Sequence, residues 1–342
     1  MALLLTLGSG CIVTARAYGA TMPAGTVLAY TLMMNARAFN TIVLNDARMS
    51  VEYQIPFLSA VHLLQGWITR DELLLAGIDD RYVLHHLTNP QRRTQVFDRP
   101  PECQTRALYG HGGLYACPGS ARGLWILEGA CITARCSVSP RQLIPESLIQ
   151  TWEWSPDGTR IAFFDAAPFT TGVVVIDVYT EAVQRVTDTL GAEVPLISWS
   201  PDGTMLAYYV LDRSGRTMQV YDLVSEAVVL RVPLDVSVSL QAPEWSPDGT
   251  RLAYTTSITH SVDVVELATG ETRRILNSVA NYPRWSPDGH WIAYSVTMGQ
   301  DAGIHLYHIE TGESRSLVLF DPMTAELPGA PYAWRPCPES GC

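Results

Sequence analysis

Apolar and polar positions across residues 150–334 fall into short runs that alternate with a period of two, and the runs recur as a set. Ile161-Ala162-Phe163, Leu206-Ala207-Tyr208, Leu252-Ala253-Tyr254 and Ile292-Ala293-Tyr294 form one class. Before each lies a short extended stretch, such as Val194-Pro195-Leu196-Ile197-Ser198. A third class runs Val173 to Val178, Met218 to Leu223, Ser261 to Leu267 and Gly303 to Ile309. A fourth closes each set: Gln184 to Thr187, Val229 to Val232, Arg273 to Leu276 and Arg315 to Leu319. Runs of this length and period, separated by turn residues, predict strands. Four per repeat predict a four-stranded antiparallel sheet, and such sheets repeated radially make a β-propeller.

The turn between the first two runs is nearly invariant. Trp154-Ser155-Pro156-Asp157-Gly158-Thr159 recurs as Trp199 to Thr204, with Asp202 and Gly203, and as Trp245 to Thr250, with Asp248 and Gly249. A fourth copy, Trp285 to Gly289 with Asp288, has His290 in place of threonine. The tryptophans lie 45, 46 and 40 residues apart. Proline presets φ at the second turn position, and glycine takes the left-handed conformation at the fourth. A type I turn within a three-residue hairpin loop is the expectation. At that regular place the aspartates read as turn residues that cap backbone N–H groups, not as four catalytic carboxylates. The tryptophans read as packing between sheets.

This box, followed by Ile/Leu-Ala-Tyr/Phe, resembles the WD40-like (PD40) repeat of the TolB-type β-propellers over residues 150–334. It is not the true WD40 repeat, because no Gly-His and Trp-Asp pair recurs. The resemblance implies an all-β propeller that binds protein partners. TolB-type proteins bind a peptidoglycan-associated lipoprotein, although partner identity does not transfer with the repeat.

Fainter copies precede the clear ones. Pro23 to Tyr30 aligns with Pro201 to Tyr208, and Asn40 to Asn45 is then its third strand. Trp67 begins a second unit, with Tyr82 to Leu87 as its third strand. Tyr109-Gly110-His111-Gly112-Gly113 begins another. At the far end Trp334 opens a box with no second strand behind it. Thr21 stands where the first box needs tryptophan. The expectation is a single propeller of seven four-stranded blades, with six or eight as alternatives. In it the C-terminal strand completes the blade begun near Gly25. Closure of that kind leaves no open sheet edge. The domain reading is 1–17 as a signal-like or lipoprotein-anchor segment and 18–342 as the propeller.

Hydrophobic residues make up 47% of the chain, as in ordinary globular domains. The net charge is −11, and there is no lysine. An acidic surface opposes nucleic-acid binding, which depends on clustered Lys/Arg contacts to phosphate. Without lysine there is no P-loop and no Schiff-base chemistry. No apolar span of about 20 residues is present to cross a membrane. Met1 to Cys11 resembles the tail of a secretory signal peptide, and Leu7-Gly8-Ser9-Gly10-Cys11 a shifted lipoprotein box, with Cys11 as the lipidation candidate. The alternative is a buried first strand with a packed Cys11. Six other cysteines remain, an even set that points to disulfides and an oxidising, extracytoplasmic compartment such as the periplasm or cell surface. Sequence proximity pairs Cys131 with Cys136 and Cys337 with Cys342, leaving Cys103 for Cys117; reduced thiols are the alternative.

Candidate chemistry is sparse. Gly-x-Ser-x-Gly is absent, and Gly110-His111-Gly112-Gly113 falls on the repeat period and reads as a turn. His305 and His308 are three apart on one strand and point to opposite faces, as do the adjacent His85 and His86. No metal and no cofactor is expected. Function is therefore sought in what varies between repeats. The residues before the tryptophans are Glu153, Ser198, Glu244, Arg284 and Ala333, and an inner strand places them along a central channel. Trp152 is an additional aromatic candidate there. Asp212, Arg213 and Arg216 read as a longer loop with a second contact surface. The expected function is a non-catalytic extracytoplasmic propeller that binds a protein or peptide partner. The alternatives are a channel-mouth enzyme, an oligosaccharide lyase or hydrolase, and a glycan-binding propeller.

Overall fold

The computed structural model describes residues 2–6, 12–17, 27–34, 38–45, 51–54, 62–69, 72–77, 81–86, 94–98, 109–111, 114–118, 123–128, 140–145, 147, 149–166, 171–187, 196–212, 215–234, 241–256, 261–277, 280–296, 301–319, 325–326 and 332–334. Every regular element among them is a strand. Two strands, β1 (Ala2–Thr6) and β2 (Ile12–Ala17), form an antiparallel hairpin. Three more follow: β3 (Val27–Met34), β4 (Ala38–Asn45) and β5 (Val51–Gln54). A four-stranded sheet comprises β6 (His62–Thr69), β7 (Glu72–Gly77), β8 (Arg81–His86) and β9 (Thr94–Asp98). The next holds β10 (Tyr109–His111), β11 (Leu114–Pro118), β12 (Leu124–Glu128) and β13 (Arg141–Ile144).

The strong repeats come next. One sheet is β14 (Ile149–Trp154), β15 (Arg160–Asp165), β16 (Gly172–Asp177) and β17 (Val183–Thr187). Another is β18 (Ile197–Trp199), β19 (Met205–Asp212), β20 (Gly215–Asp222) and β21 (Ala227–Leu234). A third is β22 (Glu244–Trp245), β23 (Arg251–Thr256), β24 (Ser261–Glu266) and β25 (Thr272–Leu276). The last is β26 (Ala280–Trp285), β27 (Trp291–Val296), β28 (Gly303–His308) and β29 (Ser314–Leu319), extended at its outer edge by the β1–β2 hairpin through β2. Two short strands, β30 (Ala325–Glu326) and β31 (Tyr332–Trp334), both pair with β3.

One register runs through these sheets. Trp154 faces Ile161, Trp199 faces Leu206, Trp245 faces Leu252 and Trp285 faces Ile292. Trp334 faces Leu28 in the same way. The C-terminal strand thus holds, in the sheet of β3 to β5, the place that β14, β18, β22 and β26 hold in theirs. First strands neighbour one another in succession from β31 through β6, β10, β14, β18 and β22 to β26.

The middle strands depart from the expected alternation. β15, β16 and β24 are buried along nearly their whole length. A sheet stacked between two others has no wet face, so both sets of side chains enter a core. The outer strands β17, β21 and β25 are largely exposed, with single buried positions. Each box tryptophan is buried among residues of the preceding sheet. Trp199 packs with Ala162, Phe164, Val173 and Val175, and Trp285 with Ala253, Val262 and Val264.

The turn box closes on itself. Gly158 N–H donates to the Ser155 carbonyl at 2.9 Å, and φ at Gly158 is +68°. Asp157 Oδ1 accepts from the Ser155 hydroxyl at 2.5 Å and from Thr159 N–H at 3.1 Å. The loop holds four residues, not three: Ser155 N–H donates to the Arg160 carbonyl, while Arg160 N–H turns to Ser155 Oγ at 2.9 Å. The serine side chain takes the place of a backbone acceptor. The expected loop at Asp212, Arg213 and Arg216 is also shorter than foreseen. Asp212 pairs with Gly215 and Leu211 with Arg216, so β19 and β20 run into a two-residue connection.

The first seventeen residues contribute β1 and β2; Cys11 lies outside the described residues, as do Cys103, Cys131, Cys136, Cys337 and Cys342. Cys117, on β11, is fully buried and disulfide-bonded.

Candidate functional site

The alanine in the middle of each Ile/Leu-Ala-Tyr/Phe run marks a common position. Glu153 faces Ala162, Ser198 faces Ala207, Glu244 faces Ala253 and Arg284 faces Ala293. These four residues therefore stand at one register on four consecutive inner strands. Each sits one residue before a tryptophan, and alternation turns it away from the seam that the tryptophan fills. A second device fixes their backbones. Trp199 Nε1 donates to the Glu153 carbonyl at 3.1 Å, Trp245 Nε1 to the Ser198 carbonyl at 3.3 Å and Trp285 Nε1 to the Glu244 carbonyl at 3.1 Å. Each tryptophan thus holds the variable residue of the preceding sheet in place. Residue types foretold the aromatic packing, but this bond joins residues more than forty apart and shows only in the fold.

Arg284 donates through Nη1 to Glu244 Oε2 in an ion pair between β26 and β22. Its strand is irregular just ahead of it. A bulge lies between Asn281 and Arg284, and Tyr282 takes φ +56°, uncommon for a bulky residue. Pro283, without an N–H, cannot join the ladder there. Gln241 Oε1 accepts Tyr282 N–H at 2.7 Å and secures the bulge. Asn281-Tyr282-Pro283 was the only sequence sign of this feature.

Glu153 is exposed, yet protein surrounds it closely. Desolvation, with a further push from Glu244 and an opposing pull from Arg284, raises its carboxyl from 4.5 to about 8. Burial also raises the Glu244 carboxyl, against the pull of Arg284. Ser198, between them, is 7% exposed, and its Oγ is buried without a hydrogen-bond partner.

Trp152 does not join this group. It shares the face of Trp154 and packs, half-buried, against the seam containing Ile161, Phe163 and Val174. The side chains around Trp334 lie outside the described residues, so Ala333 is placed by register alone, facing Ala29. The box aspartates stay in their turns. Partial burial pushes the Asp157, Asp202 and Asp248 carboxyls up, but hydrogen bonds from the serine and threonine of each box outweigh it and leave them below the ordinary range.

Histidines do not converge. His305 is buried, stacks on Tyr294, contacts the Asp301 carbonyl at 2.7 Å and the Ser316 hydroxyl at 3.2 Å, and burial lowers its pKa. His308 accepts N–H from Glu310 and Thr311 through Nδ1, in the turn position that Asp177 and Asp222 fill in other sheets. His86 pairs with Glu72 across β8 and β7 at 2.7 Å. His111 faces Leu114 beside a two-residue connection. Among the described residues no three of His, Cys, Asp and Glu gather to hold a metal ion, and no helix is long and apolar enough to cross a membrane.

No protein-family description and no curated protein matches the sequence. Solved structures do match. TolB from Acinetobacter baumannii aligns over 91% of this chain and 67% of its own, at 16% identity and a TM-score of 0.53. Dihydro-heme d1 dehydrogenase NirN aligns over 89% of this chain and 75% of its own, at 15% identity and 0.60. The Cps50 (Swd1) β-propeller domain of Myceliophteria thermophila aligns over 94% of this chain and all of its own, at 12% identity and 0.55. The chain has the β-propeller fold, as the TolB-like repeat implied. At these identities the likeness concerns fold alone.

Proposed function

We propose that this chain is a non-catalytic, extracytoplasmic propeller scaffold that docks a protein or peptide partner where Glu153, Ser198, Glu244 and Arg284 face the central channel. In this reading the seven sheets are seven blades of one closed ring. The register of β31 against β3 supports closure, and the TolB-like repeat supports the compartment. One observation carries the docking site: at a single register position in four consecutive blades the scaffold is constant and the side chain is not. Residues that vary on an invariant frame are where recognition is expected.

The test is capture of a partner from envelope extract by the wild-type chain and by Glu153→Arg and Arg284→Glu. The expected result is one protein lost with both variants. Capture unchanged by either moves the binding site to another face, and the absence of any captured protein counts against the scaffold reading. Export, lipidation of Cys11 and the pairs Cys103–Cys117, Cys131–Cys136 and Cys337–Cys342 belong to the same proposal. The intact mass of the chain recovered from the envelope, before and after reduction, tests all three.

Glu153 favours one further reading. A carboxyl pushed to about 8 beside a second carboxyl is suited to general acid catalysis. A channel-mouth lyase or hydrolase would use it on an oligosaccharide. Turnover in a panel of glycans and peptides, abolished by Glu153→Gln, would establish the enzyme over the scaffold.

A further inference from the structure

We propose that the outer edge of the sheet β18 to β21 is a contact between two copies of this chain, in which β21 pairs antiparallel with its own image about Val229. At eight residues β21 is the longest outer strand, and Arg231 is its one charge. By contrast β25, with five residues, exposes both Arg273 and Arg274. Charges of that kind guard a sheet edge against further pairing. On β21 Val229 is instead 52% exposed, and Val224, in the turn before the strand, is 79% exposed. Val229 is also the extra residue of a bulge, with no partner on β20.

Three observations name the occupant. In the sheet of β26 to β29 the outer strand β29 already takes an added antiparallel strand, β2. That strand reads Ile-Val-Thr-Ala-Arg-Ala, and β21 opens Ala-Val-Val-Leu-Arg-Val. An outer edge of this protein thus accepts a strand of the same kind as β21. Second, exposure along β21 is symmetric about Val229. Ala227, Val229 and Arg231 are exposed, and Val228 and Leu230 between them are half-buried. Antiparallel pairing centred there sets Val229 against its image, Ala227 against the partner copy's Arg231 and Val228 against the partner copy's Leu230, so like meets like. Pro233, with no N–H, ends the stretch that can pair. Third, the charges complement one another. Glu226 stands just before the strand and Arg231 near its far end, and neither is in an ion pair among the described residues. Antiparallel pairing brings each acid towards the other copy's arginine, twice over. Glu226 is held at φ +53°, where Gly270 and Gly312 serve the next two sheets without the strain of a Cβ. Its counterpart Glu181 is matched by Arg141 at 2.6 Å, whereas Glu226 receives the neutral Gln184 amide at 3.3 Å. One strand from each copy buries less than about 1,200 Å², the size of weak, reversible associations.

Sedimentation velocity of the full chain from about 5 to about 500 μM tests the contact. The expected result is a monomer–dimer equilibrium that added salt weakens. Val229→Lys puts two ammonium groups face to face on the symmetry axis and should weaken the dimer by about tenfold or more. Val183→Lys, at an exposed position on the neighbouring outer strand β17, should leave it unchanged. Glu226→Arg and Arg231→Glu should each weaken it by about fivefold, and the two together should restore it. The urea midpoint of each variant shows that the monomer still folds. A wild-type chain that stays monomeric at the highest concentration would overturn the proposal. So would a dimer indifferent to Val229→Lys, or a double exchange that restores nothing. A monomeric chain whose Val229→Lys variant no longer captures a protein from envelope extract would give this edge to a different partner, and the contact between copies would fall.

Discussion

Two rows of side chains run side by side on the inner strands, one residue apart. Trp154, Trp199, Trp245 and Trp285 form one; Glu153, Ser198, Glu244 and Arg284 form the other. The first row is buried, repeats without change and binds each sheet to the one before. The second row stands one position earlier on the same strands and changes at every step. The contrast teaches how a repeat protein separates a constant seam from a variable one: alternation along one strand gives each row its own face, so the second can change without disturbing the first. The Trp Nε1 bond to the preceding variable residue's carbonyl is the link between them. It uses the backbone of the variable row, not its side chains.

Breaking the constant row should have the largest effect. Trp245→Ala empties a seam lined by Ala207, Tyr209, Met218 and Val220 and removes the bond to Ser198. A loss of about 3–5 kcal/mol is expected, from transfer and cavity together. The midpoint of urea unfolding measures it, and a loss under about 1 kcal/mol would show that the seam repacks.

Next in size is the box hydroxyl. Ser246 is fully buried, and its Oγ accepts Arg251 N–H at 2.9 Å while its hydroxyl donates to Asp248 at 2.5 Å. Ser246→Ala strands the Arg251 N–H in the hairpin and should cost about 1–3 kcal/mol. The same urea titration reads it, and Ser246→Thr, which keeps the oxygen, should recover part of the loss.

The outer turns offer a smaller change of opposite sign. Glu181 and Glu226 adopt φ of +60° and +53° where the next two sheets have Gly270 and Gly312 at +72°. A left-handed conformation costs a residue with a Cβ about 1–2 kcal/mol. Glycine in the unfolded chain offsets part of that gain. Glu226→Gly should therefore stabilise by roughly 0.5–1 kcal/mol, and Gly270→Ala should destabilise by a similar amount.

The last test concerns the variable row and appears only as a pH dependence. The Glu153 carboxyl lies at about 8 in the folded chain, above its ordinary 4.5. The proton is bound more tightly folded than unfolded. The stability linked to it is fully present below about pH 4.5 and lost as pH rises towards 8. Glu153→Gln should match the wild type in acid and grow relatively more stable between these values. A stability difference that stays constant from pH 4.5 to 8.5 would place Glu153 in ordinary solvent.

Much of the frame was legible in the order of residues. The turn residues Pro156 and Gly158, the seam tryptophans and the pairing of Trp334 with the first repeat followed from chemistry that acts within six residues or recurs at one period. The site was half legible. Its four positions are those that change within a constant repeat. Trp152 was misplaced because an aromatic beside an acid reads as exposed until strand alternation is tied to an actual seam. The Tyr282 bulge, the Glu244–Arg284 pair and the idle Ser198 hydroxyl could not be read from residue types.

Sequence alone determined the strand, the turn and the repeat, because these depend on local dihedral preferences and on the two-residue alternation of side chains. Tertiary structure decided which of those side chains meet. Glu153, Glu244 and Arg284 are 91 and 40 residues apart along the chain. They act on one another only because stacked sheets bring one register position of neighbouring inner strands together. There the nearness of protein, not the identity of the residue, sets how hard each charge is to hold.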